Sequence, residues 1–217
     1  MGVRYFLGQR LAFIEQLYVN GASPFVERKR KIEAGEDPFV PSYSEDAEPP
    51  FLSEWLETEE SLQVIGHMCI SMLSASLHLY FKTWERQLGK PIDDSFKSDF
   101  KNGWLNGYKA YFKRHFNVIF EESPCNLQLL EELVLARNRV QHPESITIQS
   151  SQYSRRDLEK IPSPFFIDER HSELLSEMGE GEQSWLLPPS IHVTQEKLKA
   201  AIAEVVRFAE WLEQTDY

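Results

Sequence analysis

The residues with the clearest chemical potential lie together: Arg137, Asn138, Arg139 and His142 fall within six positions, directly before Pro143. An arginine can stabilise charge on a phosphate, and a histidine can donate or accept a proton near neutral pH. A carboxamide can orient either group. The same residue types can also be structural, with Arg137 lying over an apolar face and His142 capping free helix carbonyls.

An apolar stripe predicts the helix that carries these residues. Ser123 is expected to cap its start, with Pro124 at the first helical position, where a missing N–H costs nothing. Pro143 disfavours the α conformation of the residue before it, so the helix should end at His142. Core positions recur at helical spacing at Leu129, Leu133, Ala136 and Val140.

A polar sector runs along one edge of this predicted helix. At about 100° per residue, Glu131, Asn138 and His142 share a narrow sector, and Arg137 lies at its flank. A histidine in the last turn also faces the negative end of the helix dipole, which favours the protonated imidazole. Arg137, Asn138 and His142 are therefore the candidate catalytic residues.

Basic residues elsewhere are candidates for substrate binding, although the formal net charge is −11. That charge argues against broad coating of nucleic acid, because such coating needs many Lys and Arg side chains to neutralise phosphates. It leaves room for a local positive cleft, for which Arg139, Lys113 and Arg114 are the candidates. Further basic clusters at 28–31 and 155–156 could converge there, or each could be a solvated face.

The rest of the chain predicts a helical bundle. An amphipathic helix is expected from residue 1 to about 20, and a short helix capped by Ser23 from 24 to 34, with Gly21 as the break between them. An acidic, proline-rich connection follows at 36–50. Longer helices are expected at about 54–88, 95–116 and 194–214, the last capped by Thr194.

The two middle helices carry features that predict close packing. The helix at 54–88 is apolar on more than one side, which predicts a central position in the bundle or a subunit interface. The helix at 95–116 has an aromatic residue at nearly every fourth position, which predicts a core stripe. Its Gly103 and Gly107 each cost about 1 kcal/mol in helix propensity relative to alanine. Close approach of another backbone, or a local break in the helix, would account for them.

An insert of mixed character, residues 145–193, separates the candidate site from the last helix. Short strand-like runs occur at 146–148, 164–167 and 185–187, and a helix is predicted at 168–178. Because the insert starts just after His142, it could wall or cover the site, or form a packed flap or an interaction surface. Asp168 and His171 are one turn apart without a third ligand in register, so no metal or cofactor is assigned.

Composition fits one domain in a reducing compartment. A chain of 217 residues with 41% hydrophobic content can build one sizeable core. Cys69 and Cys125 are predicted to be small buried hydrophobes rather than a disulfide. The first twenty residues mix charges into their apolar pattern and lack a cleavage site, which predicts neither a signal peptide nor a membrane span. A cytoplasmic protein without a membrane partner is expected.

The motif and the helix order together resemble a known superfamily. Arg137, a polar Asn138 and then His142 match the R-x4-6-H motif of the higher eukaryotes and prokaryotes nucleotide-binding (HEPN) superfamily. The helix order over most of residues 54–217 is similar to that family's antiparallel helical bundle. The fold expected is therefore all-α, with a small irregular or β-containing insert before the last helix. Residues 1–53, a helical extension and linker, and the insert lie outside the resemblance.

The resemblance implies a metal-independent endoribonuclease of a toxin–antitoxin, phage-defence or RNA-processing type. A 2′-hydroxyl would attack its own phosphodiester, leaving a 2′,3′-cyclic phosphate and a 5′-hydroxyl. His142 would be the acid or base, Arg137 would stabilise the developing charge, and Asn138 would orient His142 or the phosphate. Family members commonly pair two motifs across a symmetric dimer, so a homodimer acting on RNA is expected, with a protein antitoxin or regulator as a further candidate partner.

A non-catalytic HEPN-like protein is the alternative. Such a regulatory subunit would bind a partner or a nucleotide and keep the motif helix for structure, which suits the acidic composition. A catalytic motif should leave Arg137 and His142 accessible in a shared cleft. A structural motif should bury both side chains in hydrogen bonds within the subunit.

Overall fold

Two long helices, α1 (Val3–Ala34) and α2 (Leu52–Leu88), form an antiparallel hairpin that supports the rest of an all-α helical bundle. The computed structural model describes residues 2–42, 48–143, 150–169, 173 and 188–215. Within these residues the shorter helices are α3 (Lys97–Lys101), α4 (Trp104–Phe116), α5 (Leu127–Gln141), α6 (Arg155–Lys160) and α7 (Gln195–Gln214). The all-α fold class expected from the sequence is confirmed.

The first helix is continuous, so the predicted break at Gly21 and the separate helix capped by Ser23 are wrong. Pro24 lies inside α1, where it removes one backbone hydrogen bond. Packing along α2 offsets that loss: a Cβ on Gly21 would contact Ile65 at 3.6 Å, so the two helices are closely apposed just before the proline. The helix ends at Ala34, the end predicted for the second of these helices, and the following Gly35 adopts the left-handed conformation.

The second helix matches the prediction for 54–88 and ends at the left-handed Gly89. Among the described residues it is the one helix long and apolar enough to cross a membrane, yet half of that apolar stretch is buried inside the bundle. A central helix of a soluble protein has the same properties. The fully buried residues of α2 include Cys69, Ile70, Leu73, Leu77 and Phe81.

The predicted aromatic helix at 95–116 is interrupted. A 3-10 turn at Asp94–Phe96 and the short α3 precede a break before Trp104, where α4 begins. Gly103 has a φ of +110°, which a residue with a Cβ rarely adopts, so the break explains this glycine. Gly107 serves close packing, but against Phe100 rather than the motif helix: a Cβ there would lie 2.4 Å from the Phe100 ring.

The aromatic stripe itself is part of the core, as predicted. The Phe81 ring of α2 stacks on Tyr108 of α4 with centroids 5.0 Å apart and on Phe120 at 5.7 Å. Phe208 of α7 packs against the same ring at 5.6 Å. Because all four side chains are almost completely buried, this cluster holds α4 and α7 against α2.

The start of α5 differs from the prediction. Asn126, not Ser123, is the N-cap, and its Oδ1 accepts a hydrogen bond from the Leu129 N–H at 3.1 Å. The Ser123 hydroxyl instead lies 3.1 Å from the Cys125 thiol. Thr194 does cap α7 as predicted. Cys125 and the buried Cys69 are both free thiols, and burial raises the pKa of Cys69 to about 11.

The described part of the insert contains a helix and no strand. A single bridge pairs Gln152 with Ser190, while the run at 164–167 predicted as strand-like is irregular. The sequence prediction missed α6. The runs at 146–148 and 185–187, His171 and most of the helix predicted at 168–178 lie outside the described residues.

Candidate active site

The end of α5 places His142 in solvent. Its backbone N–H closes the last helical turn by donating to the carbonyl of Asn138 at 3.0 Å, and its backbone then leaves the helix before Pro143. The predicted end of the helix is confirmed. The His142 side chain is exposed and makes no hydrogen bond or ion pair within the described part of the chain, so its imidazole is available to a ligand.

Arg137 is half-buried and turned toward its neighbours in the same subunit. Its Nη1 donates to Oδ1 of Asn138 at 2.9 Å. It also lies near His78 of α2, whose ring stacks on Trp104 at 4.6 Å. Burial lowers the pKa of His78, and the positive charges of Lys82 and Arg137 lower it further. Arg137 therefore faces the α2 side of the motif helix.

A cleft of about 600 Å³ opens on the other edge of the motif helix, between α4, α5 and α6. Its lining includes Glu131, Asn138 and His142, the polar sector that the sequence predicted to share one edge. The other side chains of the cleft include carboxamides and a lysine around an apolar floor: Asn102, Asn106, Lys160, Leu105, Val134, Leu135 and Ile161. Arg137 does not line this cleft, so one subunit does not bring the two motif residues to one surface.

A second, smaller hollow adjoins His142 on the side of the insert. It measures about 260 Å³ and is lined by Arg139, His142, Pro143 and the segment from Ser150 to Ser154. His142 thus borders two depressions at once. An extended ligand bound along both depressions would pass the His142 imidazole.

Arg139 is tied into the wall between these depressions. Its Nε donates to Asp157 Oδ2 at 2.7 Å and its Nη2 donates to the Ser154 hydroxyl at 2.7 Å. Ser154 and Asp157 also form a capping box that starts α6. Burial alone would raise the pKa of Asp157, but the hydrogen bonds from Arg139 and Ser154 outweigh it and lower that pKa. The arginine predicted to bind substrate is therefore first a brace that fixes α6 beside α5.

A buried carboxylate, missed by the sequence reasoning, anchors the insert behind this wall. Glu132 is 2% exposed and accepts hydrogen bonds from the Tyr153 hydroxyl at 2.7 Å and from the backbone N–H groups of Phe165 and Phe166, both at 2.8 Å. Burial and the nearby carboxylate raise the pKa of Tyr153. The available signal was an acidic residue beside the apolar stripe of α5, at a position directly preceding Leu133.

Lys113 and Arg114 lie away from His142. Arg114 donates to Asp99 at 2.8 Å and packs over the Phe96 ring at 4.8 Å, so it braces α3 against α4. Lys113 is exposed near the carboxylate of Glu121. Both occupy the C-terminal end of α4, whereas the cleft is built on its N-terminal end, about 12 Å away along the helix axis.

The basic cluster at 28–31 is also remote and largely neutralised. Arg28 and Lys29 pair with Glu57 and Glu59, and Arg30 pairs with two further carboxylates. The Glu57 end of α2 is about 30 Å along the helix from His78, near which Arg137 lies. This cluster therefore does not converge on the motif. The pair Arg155 and Arg156 starts α6, whose other end lines the cleft.

An exposed apolar face covers one side of the α1–α2 hairpin. Phe6 and Leu79 line a shared hollow of about 270 Å³ on this side. Phe13 is 63% exposed and Met68 is 44% exposed. Each recurs at helical spacing with other exposed apolar residues of its own helix, so these side chains share one side of the hairpin. We call this surface the hairpin face; its residues are Phe6, Phe13, Leu17, Val64, Met68, Met72 and Leu79.

His67 and His192 serve packing. His67 Nε2 lies 2.8 Å from the carbonyl of Ile191, and burial lowers the pKa of both His67 and His192. Among the described residues no group of three or more His, Cys, Asp or Glu side chains is placed to hold a metal ion.

No family model matches the chain, and it matches neither a curated protein nor a solved structure significantly. Function is therefore inferred from the motif and from the geometry around it.

Proposed function

We propose that this protein is a metal-independent endoribonuclease that cleaves single-stranded RNA. The observation that supports this proposal best is the placement of His142: an exposed imidazole without a partner in the described chain, at the junction of two depressions. Lys160 lines the larger depression with it and supplies positive charge on an otherwise acidic protein, whereas the charge of Arg139 is matched by Asp157. A phosphodiester following this path would meet a proton donor or acceptor with a cation nearby.

The proposed reaction needs no activated water. A base removes the proton of the ribose 2′-hydroxyl, the 2′-oxygen forms a bond to phosphorus, and the bond from phosphorus to the 5′-oxygen breaks. A proton is delivered to the departing 5′-oxygen, so the products are a 2′,3′-cyclic phosphate and a 5′-hydroxyl. His142 performs one of these proton transfers, and its counterpart in a second subunit performs the other.

The proposed roles of Arg137 and Asn138 follow from their contacts. Asn138 lines the cleft, and because its Oδ1 accepts from Arg137, its Nδ2 is left to donate to a phosphate oxygen or to His142. Arg137 lies on the opposite edge of the helix, so it serves the phosphate of a site completed by the partner subunit. This division of the motif favours a composite site over a site within one chain.

A homodimer is proposed to bring these parts together through the hairpin face. The face is apolar, rich in methionine and borders the region of His78 and Arg137. Methionine side chains adapt to a partner surface, and a contiguous exposed apolar patch marks an interaction site. A symmetric pairing of hairpin faces would bury this surface and place the Arg137 edge of each subunit next to its partner.

The proposed cellular setting rests on the resemblance to HEPN proteins. Membership of that superfamily, a cytoplasmic location and a role in toxin–antitoxin, phage-defence or RNA-processing systems form one hypothesis. A protein antitoxin or regulator would be its natural partner.

The test is incubation of the purified protein with mixed RNAs in excess chelator, with cleavage followed by gel electrophoresis. Wild-type protein should cleave, and His142→Ala should not. Gln141→Ala is the matched control, because Gln141 is an exposed neighbour on the same turn and should keep wild-type activity. Equal cleavage by His142→Ala and wild type would refute the proposal.

A second candidate is a regulatory protein that binds a nucleotide without cleaving RNA. The position of Arg137 favours it: this side chain is half-buried, hydrogen-bonded within the subunit and absent from the cleft that His142 lines. In that case the chelator assay shows no cleavage by any variant, and a nucleotide still binds.

A further inference from the structure

We infer that the cleft between α4, α5 and α6 is a subsite for one nucleotide whose base carries an exocyclic amino group, with its phosphate toward His142. This rests on the proposed function in one respect, namely that the nucleotide is part of an RNA chain. A free nucleotide has the same chemistry and would occupy the same cleft.

The apolar floor is suited to the faces of a base. Leu105 and Ile161 are almost fully buried, and Val134 and Leu135 of the motif helix extend the same surface. A planar aromatic ring covers such a floor and excludes water from it, whereas a bare sugar or phosphate would leave it wet. With a volume of about 600 Å³ the cleft lies within the usual range for small-molecule sites.

Hydrogen-bond acceptors lie at the end of the cleft away from His142. Asn106 donates its Nδ2 to the carbonyl of Asn102 at 2.9 Å, which fixes the carboxamide and leaves Oδ1 free to accept. Glu131 is held beside it by Lys109, at 2.5 Å, and its carboxylate has lone pairs to spare. Two acceptors in one place recognise an amino group, as in cytosine, adenine or guanine. They repel the carbonyl that uracil presents at the position of the cytosine amino group.

Donors and cations lie at the opposite end. Glu131 and His142 are separated by eleven residues of one helix edge, about 16 Å. The Asn138 Nδ2 donor lies between them, and Lys160 adds an exposed ammonium that forms no ion pair within the described residues. The two acceptors at one end and the Lys160 ammonium at the other orient a nucleotide, because the acceptors bind the amino group of the base and Lys160 attracts the phosphate.

Cytidine 5′-monophosphate (CMP) and uridine 5′-monophosphate (UMP) are the most discriminating pair of probes. Their bases differ at the position where cytosine has an amino group and uracil has a carbonyl. We expect CMP to bind at least about tenfold more tightly than UMP in calorimetry or by NMR titration at fixed salt. Asn106→Ala should reduce that preference several-fold. Leu135→Trp should abolish binding by filling the floor, and Lys160→Ala should weaken both ligands equally.

The matched controls are Asn20→Ala and Lys199→Ala, exposed residues on α1 and α7 that should change nothing. Circular dichroism melting checks that each variant folds. If Leu135→Trp does not fold, Asn106→Ala still decides the test, because it changes a solvent-exposed side chain. Equal binding of CMP and UMP, or CMP binding that survives both Leu135→Trp and Asn106→Ala, would overturn the inference.

A second arm separates this inference from the proposed function. Uncleavable 2′-deoxy tetranucleotides with cytosine or uracil at one position test whether the nucleotide belongs to a chain. RNA cleavage without cytosine preference in either arm would leave the nuclease proposal standing and reject the subsite. Selective CMP binding without RNA cleavage would support the subsite for a free nucleotide and reject the nuclease.

Discussion

The Arg137 guanidinium donates a hydrogen bond to Oδ1 of Asn138 at 2.9 Å, so the carboxamide that lines the cleft is oriented by a side chain outside it. The two residues are neighbours in sequence and about 100° apart around the helix. Asn138 therefore links the α2 side of the motif helix to the His142 side. The structure separates the motif into two edges joined by this hydrogen bond.

Replacing His142 tests the proton-transfer role. His142→Ala should lower RNA cleavage by about 10² to 10⁴, the usual contribution of a general acid or base. Its melting temperature should match wild type, because the exposed imidazole has no side-chain partner to lose among the described residues. A similar loss in Gln141→Ala would assign the effect to the helix end rather than to the imidazole.

Replacing Arg137 tests charge stabilisation. Arg137→Ala should reduce cleavage about as much as His142→Ala, and Arg137→Lys should restore only part of it, because lysine lacks the planar fork that holds both Asn138 and a phosphate oxygen. The measurement is kcat and KM for each variant. Full activity in Arg137→Lys would show that the fork has no role.

Dimerisation is tested on the hairpin face. Sedimentation at micromolar concentration should give about twice the chain mass of 25.3 kDa, and Phe13→Glu should give monomers because a charge would be buried at the interface. Val26→Glu is the matched control: Val26 is 55% exposed on another side of α1. Dimers that survive Phe13→Glu and Met72→Glu together would exclude the hairpin face.

Mixing wild-type and His142→Ala chains tests whether subunits share a site. If each cleavage needs His142 of both subunits, a mixed dimer is inactive. After random exchange of equal amounts, only the wild-type dimers, about a quarter of the total, should then cleave RNA. Activity of about half that of the same amount of wild-type protein, after verified subunit exchange, would place the contribution of His142 within one chain.

The Arg139–Asp157 pair predicts a pH-dependent loss of stability. The pKa of Asp157 is lowered in the folded protein, so its contribution is fully present above its unfolded pKa, near 3.9, and is lost as pH falls through the folded value. At neutral pH, Asp157→Asn should lower the free energy of unfolding by about 1 to 3 kcal/mol. In urea titrations this difference should shrink below about pH 4. Asp94→Asn, at an exposed carboxylate, should show little effect at either pH.

The sequence predicted α2 and α7 well, because apolar periodicity and the end signals Gly89 and Thr194 encode them locally. It placed Glu131, Asn138 and His142 on one edge, and the structure puts all three in one cleft. It failed at Pro24 and at Gly103, where tertiary packing and a positive φ decide whether a helix continues. These effects depend on distant segments that periodicity does not show.

The contacts that form the walls of the site could not be predicted from local sequence patterns. Arg139 and Asp157 are eighteen residues apart, and the partners of Glu132 lie up to thirty-four residues away. Lys113 and Arg114 are near α5 in sequence. Because α4 runs antiparallel to α5, they lie at the end of α4 that is distant from His142. The direction of Arg137 depends on α2, which spacing within one helix cannot reveal.

The most direct test of the proposed chemistry uses an oligonucleotide of DNA with a single internal ribonucleotide, incubated with the protein in excess chelator. Mass spectrometry should find one cut, directly after the ribonucleotide, with a 2′,3′-cyclic phosphate on one fragment and a 5′-hydroxyl on the other, and no product with His142→Ala. Cleavage of the all-DNA control, or a 5′-phosphate at the cut, would contradict 2′-hydroxyl attack at His142.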